Sequence, residues 1–297
     1  MTTATWHEGE RALQARVGSA QRLSEVGPRI IRDAMPEQHS SLFAQLPFML
    51  LAAVDSAGAP WVTLIEAERL AQVVDARTLQ LHALPKTGDP VRAALTGGAA
   101  VGMLGIELAT RRRNRVNGSL RAVTGNGFTL QVAESFGNCS QYIRVREPVF
   151  AGDPALPYGG QVERFDGLDA HARASVAAAD TFFVGSYVDL EEGRKVDVSH
   201  RGGQPGFVRV DGDVLTIPDF AGNRFFNTLG NLLVNPRAGL LFVDFSNGDV
   251  LQLMGRTELV LDGPEVGSFE GAERLWRLQV EQAVRRRGLL SLRTGSP

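Results

Sequence analysis

Two pairs of segments in this chain read alike although they lie well over a hundred residues apart. Phe48-Met49-Leu50-Leu51-Ala52-Ala53-Val54-Asp55 matches Phe182-Phe183-Val184-Gly185-Ser186-Tyr187-Val188-Asp189, and Arg115-Val116-Asn117-Gly118-Ser119-Leu120 matches Gln252-Leu253-Met254-Gly255-Arg256-Thr257-Glu258-Leu259. The order of apolar runs and Gly/Pro breaks between these anchors also agrees. Solenoids and propellers repeat at roughly 20 to 50 residues, so this spacing means two copies of a whole domain. Two related halves direct attention to a site where they meet.

The length of 297 residues suits two domains of ordinary size. Charged residues make up 22% and the formal net charge is −2, so no nucleic-acid partner is expected. Arginines far outnumber lysines and cluster at Arg111 to Arg115 and Arg285 to Arg287, within a chain whose acidic residues balance them. A single cysteine, Cys139, cannot form an internal disulfide, and it reads as a small buried apolar residue or as a redox thiol. No N-terminal stretch has the make-up of a secretory signal, and a cytoplasmic protein is expected. The longest apolar run, Phe48 to Val54, is of strand length and far below the roughly 20 residues of a membrane span, so no membrane partner is expected.

From Glu8 to about Met35, Leu13, Val17, Leu23, Val26, Ile30 and Ile31 recur at near-helical spacing, with Gly27-Pro28 as punctuation and Pro36 as the stop. This predicts an N-terminal helical arm. Beyond Pro47 the texture changes to short β-type runs: Phe48–Val54, Trp61–Ile65, Leu79–Leu84, Ala100–Ile106, Arg115–Val123 and, after the hairpin signal Thr124-Gly125-Asn126-Gly127, Phe128–Val132. The second half predicts strands at Thr181–Val188, Gly206–Val210, Val214–Ile217, Gly239–Phe245 and Val250–Leu261, with a helix at Asn223–Leu233 ended by Asn235-Pro236. Trp276, Leu278, Val280 and Val284 alternate with polar residues as in a half-buried strand, with a helix as the competing reading. Pro148 to Gly160 reads as a linker and His171 to Ala179 as a short helix.

Short strands with one helix per half favour closed or partly closed barrels, because closure removes exposed strand edges. The chain divides into an arm over 1–45, a first half over 46–147, a linker with its helix over 148–180, and a second half over 181–297. The expected class is mainly β, of the α+β kind: two tandem split β-barrels behind a helical arm.

The motifs narrow this further. Asp197-Val198-Ser199-His200-Arg201-Gly202-Gly203-Gln204-Pro205-Gly206-Phe207, Ile217-Pro218-Asp219-Phe220-Ala221-Gly222-Asn223-Arg224, Asn227-Thr228-Leu229-Gly230-Asn231, Asn235-Pro236-Arg237-Ala238-Gly239-Leu240-Leu241-Phe242 and Leu251-Gln252-Leu253-Met254-Gly255-Arg256 together resemble the pyridoxamine 5'-phosphate oxidase-like family of FMN-binding split barrels. In the first half, Gly102 to Leu108, the run Arg111 to Gly118 and the connector Phe136-Gly137-Asn138-Cys139-Ser140-Gln141-Tyr142-Ile143 are similar to a tandem-barrel subgroup, as is Trp6-His7-Glu8-Gly9-Glu10. The C-terminal tryptophan and arginine motif that grips the substrate in the true oxidase is missing from Gly288-Leu289-Leu290-Ser291-Leu292-Arg293, so pyridoxamine phosphate oxidation is not expected. Neither the cysteine spacing of an iron-sulfur module nor a glycine-rich dinucleotide fingerprint is present, so electrons would come from a separate reductase or from NAD(P)H.

The resemblance implies FMN as cofactor, with Arg201, Asn223 and Arg224 holding the phosphate, His200, Gln204 and Gln252 lining the ring, and Ser199 among the cofactor-binding residues. The chemistry suits those types: a phosphate dianion wants arginine forks and free N–H groups, and an isoalloxazine wants an apolar slot with a few donors. Gly202-Gly203 would let backbone N–H groups approach an anion. Each residue also has a plainer reading, as a solvated surface arginine, an ordinary turn or an outward strand residue. His200 reads equally as a donor or proton relay at the flavin and as a structural residue on its strand. The other histidines lack ligand spacing, and no metal site is expected. Glu66-Ala67-Glu68-Arg69 replaces the Ser-His-Arg-Gly-Gly segment in the first half, which leaves that half as the partner of the second. Arg111 to Arg115 would then be either its contribution to a shared cleft or an exposed, arginine-rich strand edge.

The function expected is that of an FMN-dependent oxidoreductase exchanging a hydride between flavin N5 and a small organic substrate or a nicotinamide donor. Alternatives are a non-catalytic flavin- or haem-binding module and an electron-transfer component of a reductase complex. A homodimer is expected from the family, although the internal duplication could replace it.

Overall fold

The computed structural model describes residues 5–294. The outermost residues of the arm and of the second half, 1–4 and 295–297, lie outside the described residues. The arm is three helices, α1 (Glu8–Arg16), α2 (Ala20–Ile30) and α3 (Glu37–Gln45). A capping box starts α1: the His7 side chain accepts from Gly9 N–H while Glu10 accepts from His7 N–H.

The first barrel comprises β1 (Phe48–Val54), β2 (Pro60–Glu66), β3 (Ala71–Asp75), β4 (Thr78–Leu81), the short helix α4 (Pro90–Ala94), β5 (Ala100–Glu107), β6 (Arg112–Val123) and β7 (Phe128–Gly137). The linker carries β8 (Val149–Phe150), β9 (Val162–Asp166) and α5 (Ala170–Ala178). The second barrel comprises β10 (Thr181–Leu190), β11 (Gly193–Gly202), β12 (Arg209–Asp211), β13 (Val214–Phe220), α6 (Asn227–Val234), β14 (Arg237–Asp244), β15 (Asp249–Val260) and β16 (Ala272–Arg286). A final strand, β17 (Leu292–Arg293), pairs with β8 in the linker. The Trp276 region is therefore strand, as its alternation predicts. The predicted strand at Gly206–Val210 shrinks to β12, and the helix predicted from Asn223 starts four residues later, because Arg224 and Phe226 take left-handed φ values.

The two sheets have one topology. Strand order is β2-β1-β5-β6-β7-β4-β3 in the first and β11-β10-β14-β15-β16-β13-β12 in the second, with β9 added to β16. Even an irregularity is repeated: pairing shifts at Asn117/Gly118 and again at Met254/Gly255. Counting from these bulges, Arg115 corresponds to Gln252, as read from the sequence. Through the pairings Leu104–Leu50–Leu64 and Leu241–Phe183–His200, Leu64 corresponds to His200. It follows that Leu50 matches Phe183, so the alignment of Phe48 with Phe182 is one residue out.

Alternation along the strands builds three cores. Met49, Leu51, Ile65, Met103 and Val116 pack inside the first barrel, and Phe182, Val184, Leu240, Phe242 and Leu253 inside the second. Residues of opposite parity, Phe48, Leu50, Val62, Leu64, Leu104, Phe183, Val198 and Leu241, form the core between the barrels. These are the tandem split barrels expected from the sequence. A pseudo-twofold relation joins them: Gly102 of β5 lies against the backbone of Val196 in β11, and Gly239 of β14 against that of Pro60 in β2.

Candidate functional site

A cleft opens between the barrels where β6 of the first faces β11 and the β13–α6 loop of the second. Its electrostatics centre on Arg113 and Arg115. Both lie on β6, which is bonded on either side to β5 and β7, so the exposed-edge reading of this run is wrong for them. Arg115 is buried; its Nε donates to Val198 O at 3.0 Å and sits 2.9 Å from Asp197, and its guanidinium also donates to Ser199 and, at 3.2 Å, to Asn227.

Arg113 differs because, among the described residues, no carboxylate pairs with it. Burial, with Arg115 and Arg201 nearby, pushes its pKa down to about 9. Its NH1 lies 2.9 Å from Nδ1 of His200. A guanidinium can only donate, so Nδ1 accepts and the imidazole hydrogen sits on Nε2. His200 is 5% exposed and packs edge-on against Phe183. Burial and the arginines around it hold its pKa well below the usual histidine value, which keeps it neutral. Among the described residues its Nε2–H has no partner, nor have Arg113 Nε, Arg201 Nε and Asn138 Nδ2. Four buried donor groups thus line one cleft unsatisfied, an arrangement that costs free energy unless acceptors arrive.

The second barrel supplies the rest. Arg201 lies 3.2 Å from Asp219, whose other oxygen holds Arg274 at 2.6 Å. Arg224 lines the cleft half-exposed and 4.0 Å from Glu273. Asn223 also lines it, with its Oδ1 accepting from Phe225 N–H at 3.1 Å. Helix α6 begins at Asn227 without a side-chain cap, which leaves first-turn N–H groups and the positive end of its dipole at the cleft.

Three expectations need correction. Gln252 is not in the cleft: it is fully buried on the opposite side, where Nε2 donates to Val62 O at 2.8 Å and Oε1 accepts from Arg286 at 2.7 Å. This is the counterpart of Arg115 reaching Val198 O, so symmetry carries Gln252 to the other junction. Gln204 is exposed and bonds Arg144 rather than lining the cleft. At Gly202 a side chain would collide with Tyr142 O, and Gly203 N–H donates to Asp180 O at 3.0 Å, so this pair makes room for a connector and not for an anion.

That connector, residues 138–144, crosses the cleft. Tyr142 has φ 65°, stacks on Phe220 at 5.3 Å and donates its hydroxyl to Ala221 O at 3.0 Å. With it down, the cleft encloses about 100 Å³. Ser199, His200, Arg201, Asn223 and Arg224 all line this space, and sequence reasoning missed Asn138 and Tyr142 as its walls, although both lie in the connector that carried the resemblance.

At the pseudo-equivalent junction Leu64, Ile65 and Glu66 replace His200, Arg201 and Gly202. Glu66 is satisfied by Lys86 at 3.1 Å and Ser291 N–H at 2.7 Å. Beneath it Asp89 and Arg286, both fully buried, pair at 2.5 Å with Gln252 and Thr63 around them. The recess there is about 580 Å³ and walled partly by linker residues 153–158; beneath it Nε and NH1 of Arg286 also lack partners among the described residues, so the two junctions differ in charge pairing and not in the presence of unsatisfied donors. The duplication has left one cationic cleft and one that is internally neutralised.

No family model matches the chain, and no curated protein does. Solved structures do match. A protein of the pyridoxinephosphate oxidase family from Clostridium acetobutylicum is 16% identical over 42% of this chain and 92% of its own, with a TM-score of 0.30. The FAD binding protein from Mycobacterium smegmatis is 13% identical over 40% and 97%, with a TM-score of 0.28. HupZ of Group A Streptococcus is 14% identical over 43% and 99%, with a TM-score of 0.32. One of the three is named for the family that the sequence resembles. No helix among the described residues is long and apolar enough to cross a membrane.

Proposed function

We propose that the inter-barrel cleft binds an anionic flavin, FMN, and that the protein is an oxidoreductase acting on a small organic molecule. The observation that carries this reading is the unneutralised Arg113 beside neutral His200, among buried donors with no acceptor. A phosphate supplies the acceptors and charge those donors lack. The phosphate partners inferred from the sequence shift accordingly: Arg113, Asn138 and the start of α6 take the leading part, with Arg201 close by, while Arg224 stands at the rim. FMN, when bound, supplies hydride exchange at N5 with a donor such as NAD(P)H and with the substrate.

Ligand pockets run to about 300–1,000 Å³. The 100 Å³ under the connector suits the anion and not the ring system, so binding requires Tyr142 to leave Phe220. His200 then offers a single Nε2–H donor. That hydrogen also argues against the haem alternative by this residue, because a metal ligand needs a free ring-nitrogen lone pair and Arg113 already occupies the other.

The test is a fluorescence titration of the purified protein with FMN and with riboflavin, which lacks the phosphate. Saturable FMN binding, much weaker riboflavin binding and a loss of about tenfold or more in Arg113→Ala are expected, since a charge-assisted hydrogen bond is worth about 1.5–3 kcal/mol. Equal affinity for FMN and riboflavin would exclude the phosphate assignment.

A further inference from the structure

The N-terminal arm carries a buried carboxyl that reaches the cleft from behind. Helix α1 packs on α6 so closely that a side chain at Gly9 would collide with Gly230 O, and one at Gly230 would come within 2.8 Å of Glu10 N. Gln14 donates to Phe225 O at 3.1 Å and Trp6 packs on the Phe225 ring at 5.1 Å, so α1 braces the loop that leads into the cleft. Glu10 Oε1 accepts from Asn227 Nδ2 at 2.7 Å, and Asn227 Oδ1 accepts from Arg115 at 3.2 Å. Two hydrogen bonds therefore connect Glu10, Asn227 at the first turn of α6, and Arg115 on the cleft wall.

We infer that Glu10 is a positioning residue whose proton is linked to anion binding in the cleft: neutral, it holds Asn227 and through it Arg115 without placing negative charge behind the cleft, and ionised, it adds a charge that opposes the anion. This rests on the anion-binding reading above. The surroundings favour the neutral form. Burial raises the Glu10 pKa to about 8, with the like charges of Glu134 of β7 and Asp197 of β11 adding to it, and outweighs the hydrogen bonds from His7 N–H and Asn227 that favour the ionised form. Facing the same small space are His7 at the start of α1, Lys195 of β11, 2.9 Å from Glu134, and Asn117 of β6, Asn227 and Asn231. Lys195 is already committed to Glu134, Arg115 to Asp197, and the His7 pKa is lowered by burial, so among the described residues no spare cation faces an ionised Glu10.

The test compares FMN and inorganic phosphate dissociation constants at pH 7.0 and 9.0 in the full-length protein and in Glu10→Gln. Arg113 titrates at about 9 and contributes its own pH dependence to both proteins, so the difference between them decides. The wild type is expected to weaken about tenfold more than Glu10→Gln over this range. Identical pH profiles would overturn the role of Glu10 and leave the flavin reading intact. Phosphate binding with the expected difference but no FMN binding would support the linkage and remove flavin. Binding of neither would remove both. If Glu10→Gln does not fold, calorimetry of the wild type at pH 8 in buffers of different ionisation heat reads proton uptake on binding. Uptake approaching half a proton is expected, against roughly a tenth from Arg113 alone.

Discussion

Arg113 shows how a single side chain marks a site. A half-buried guanidinium whose polar partner is a histidine ring and whose buried Nε has none is costly unless something else completes it, and burial has already lowered its pKa to about 9. Arg224, which the family pattern singles out, is half-exposed and 4.0 Å from Glu273. Arg113→Ala is therefore expected to weaken FMN binding by at least tenfold and Arg224→Ala by less than threefold, read in parallel fluorescence titrations; the reverse order would return the phosphate to the rim. Glu10 makes a prediction in the protein without ligand. Its pKa is about 8 when folded and near 4.5 when unfolded, so the unfolded chain binds fewer protons between these values. Its stabilising contribution is complete below pH 4.5 and is lost as pH rises through 8. Thermal melts across this window should fall less steeply for Glu10→Gln than for the wild type. Residue type alone left each candidate with a plainer reading, and it was the run of motifs taken together that pointed to Ser199, His200, Arg201, Asn223 and Arg224, which do line the cleft. Gln252 was not legible, because which barrel junction it faces depends on pseudo-symmetry that no local pattern encodes.

At the level of elements, β-runs with one clear period were legible and positions that needed a register were not. β1 and β10 are buried on both faces, so a one-residue slip leaves their apolar patterns looking alike, and the true match of Leu50 with Phe183 emerges only through the paired strands. β3 was missed for the opposite reason: Ala71–Asp75 is a largely exposed strand near a sheet edge with little apolar signal. The connector after β7 has no regular structure, yet Asn138, Cys139, Gln141 and Tyr142 in it wall the cleft. Its backbone passes so near Gly202 that a methyl group there would strike Tyr142 O. Gly202→Ala is expected to lift the connector, and the Tyr142–Phe220 stack of about 0.5–1.5 kcal/mol would be lost with it. Faster FMN association in stopped-flow, and faster proteolysis within residues 138–144, would follow. Unchanged association would mean that the connector does not gate the cleft.

In the whole molecule, the cleft exists only because two barrels share a core. Arg113 and Arg115 come from one, His200, Arg201 and α6 from the other, and glycines set their separation. At Gly102 an added Cβ would come within 2.6 Å of Val196 O, and at Gly239 it would collide with Pro60 O. These obstacles are backbone, so an alanine at either place must push the barrels apart, with an expected cost of about 1–3 kcal/mol, seen as a lower denaturant midpoint. The two substitutions differ in what they disturb. Gly102 packs against Val196 of β11, three and four residues before Ser199 and His200 of the cationic cleft, whereas Gly239 packs against Pro60 of β2, two residues before Val62 of the junction sealed by Asp89, Arg286 and Gln252. Gly102→Ala should therefore weaken FMN binding as well as stability, and Gly239→Ala should lower stability by a similar amount with affinity nearly unchanged. Gly97→Ala, at a position with open space around it, serves as the control for both measurements. Equal losses of affinity in Gly102→Ala and Gly239→Ala would mean that the two junctions are functionally equivalent, against the division of labour that their side chains imply.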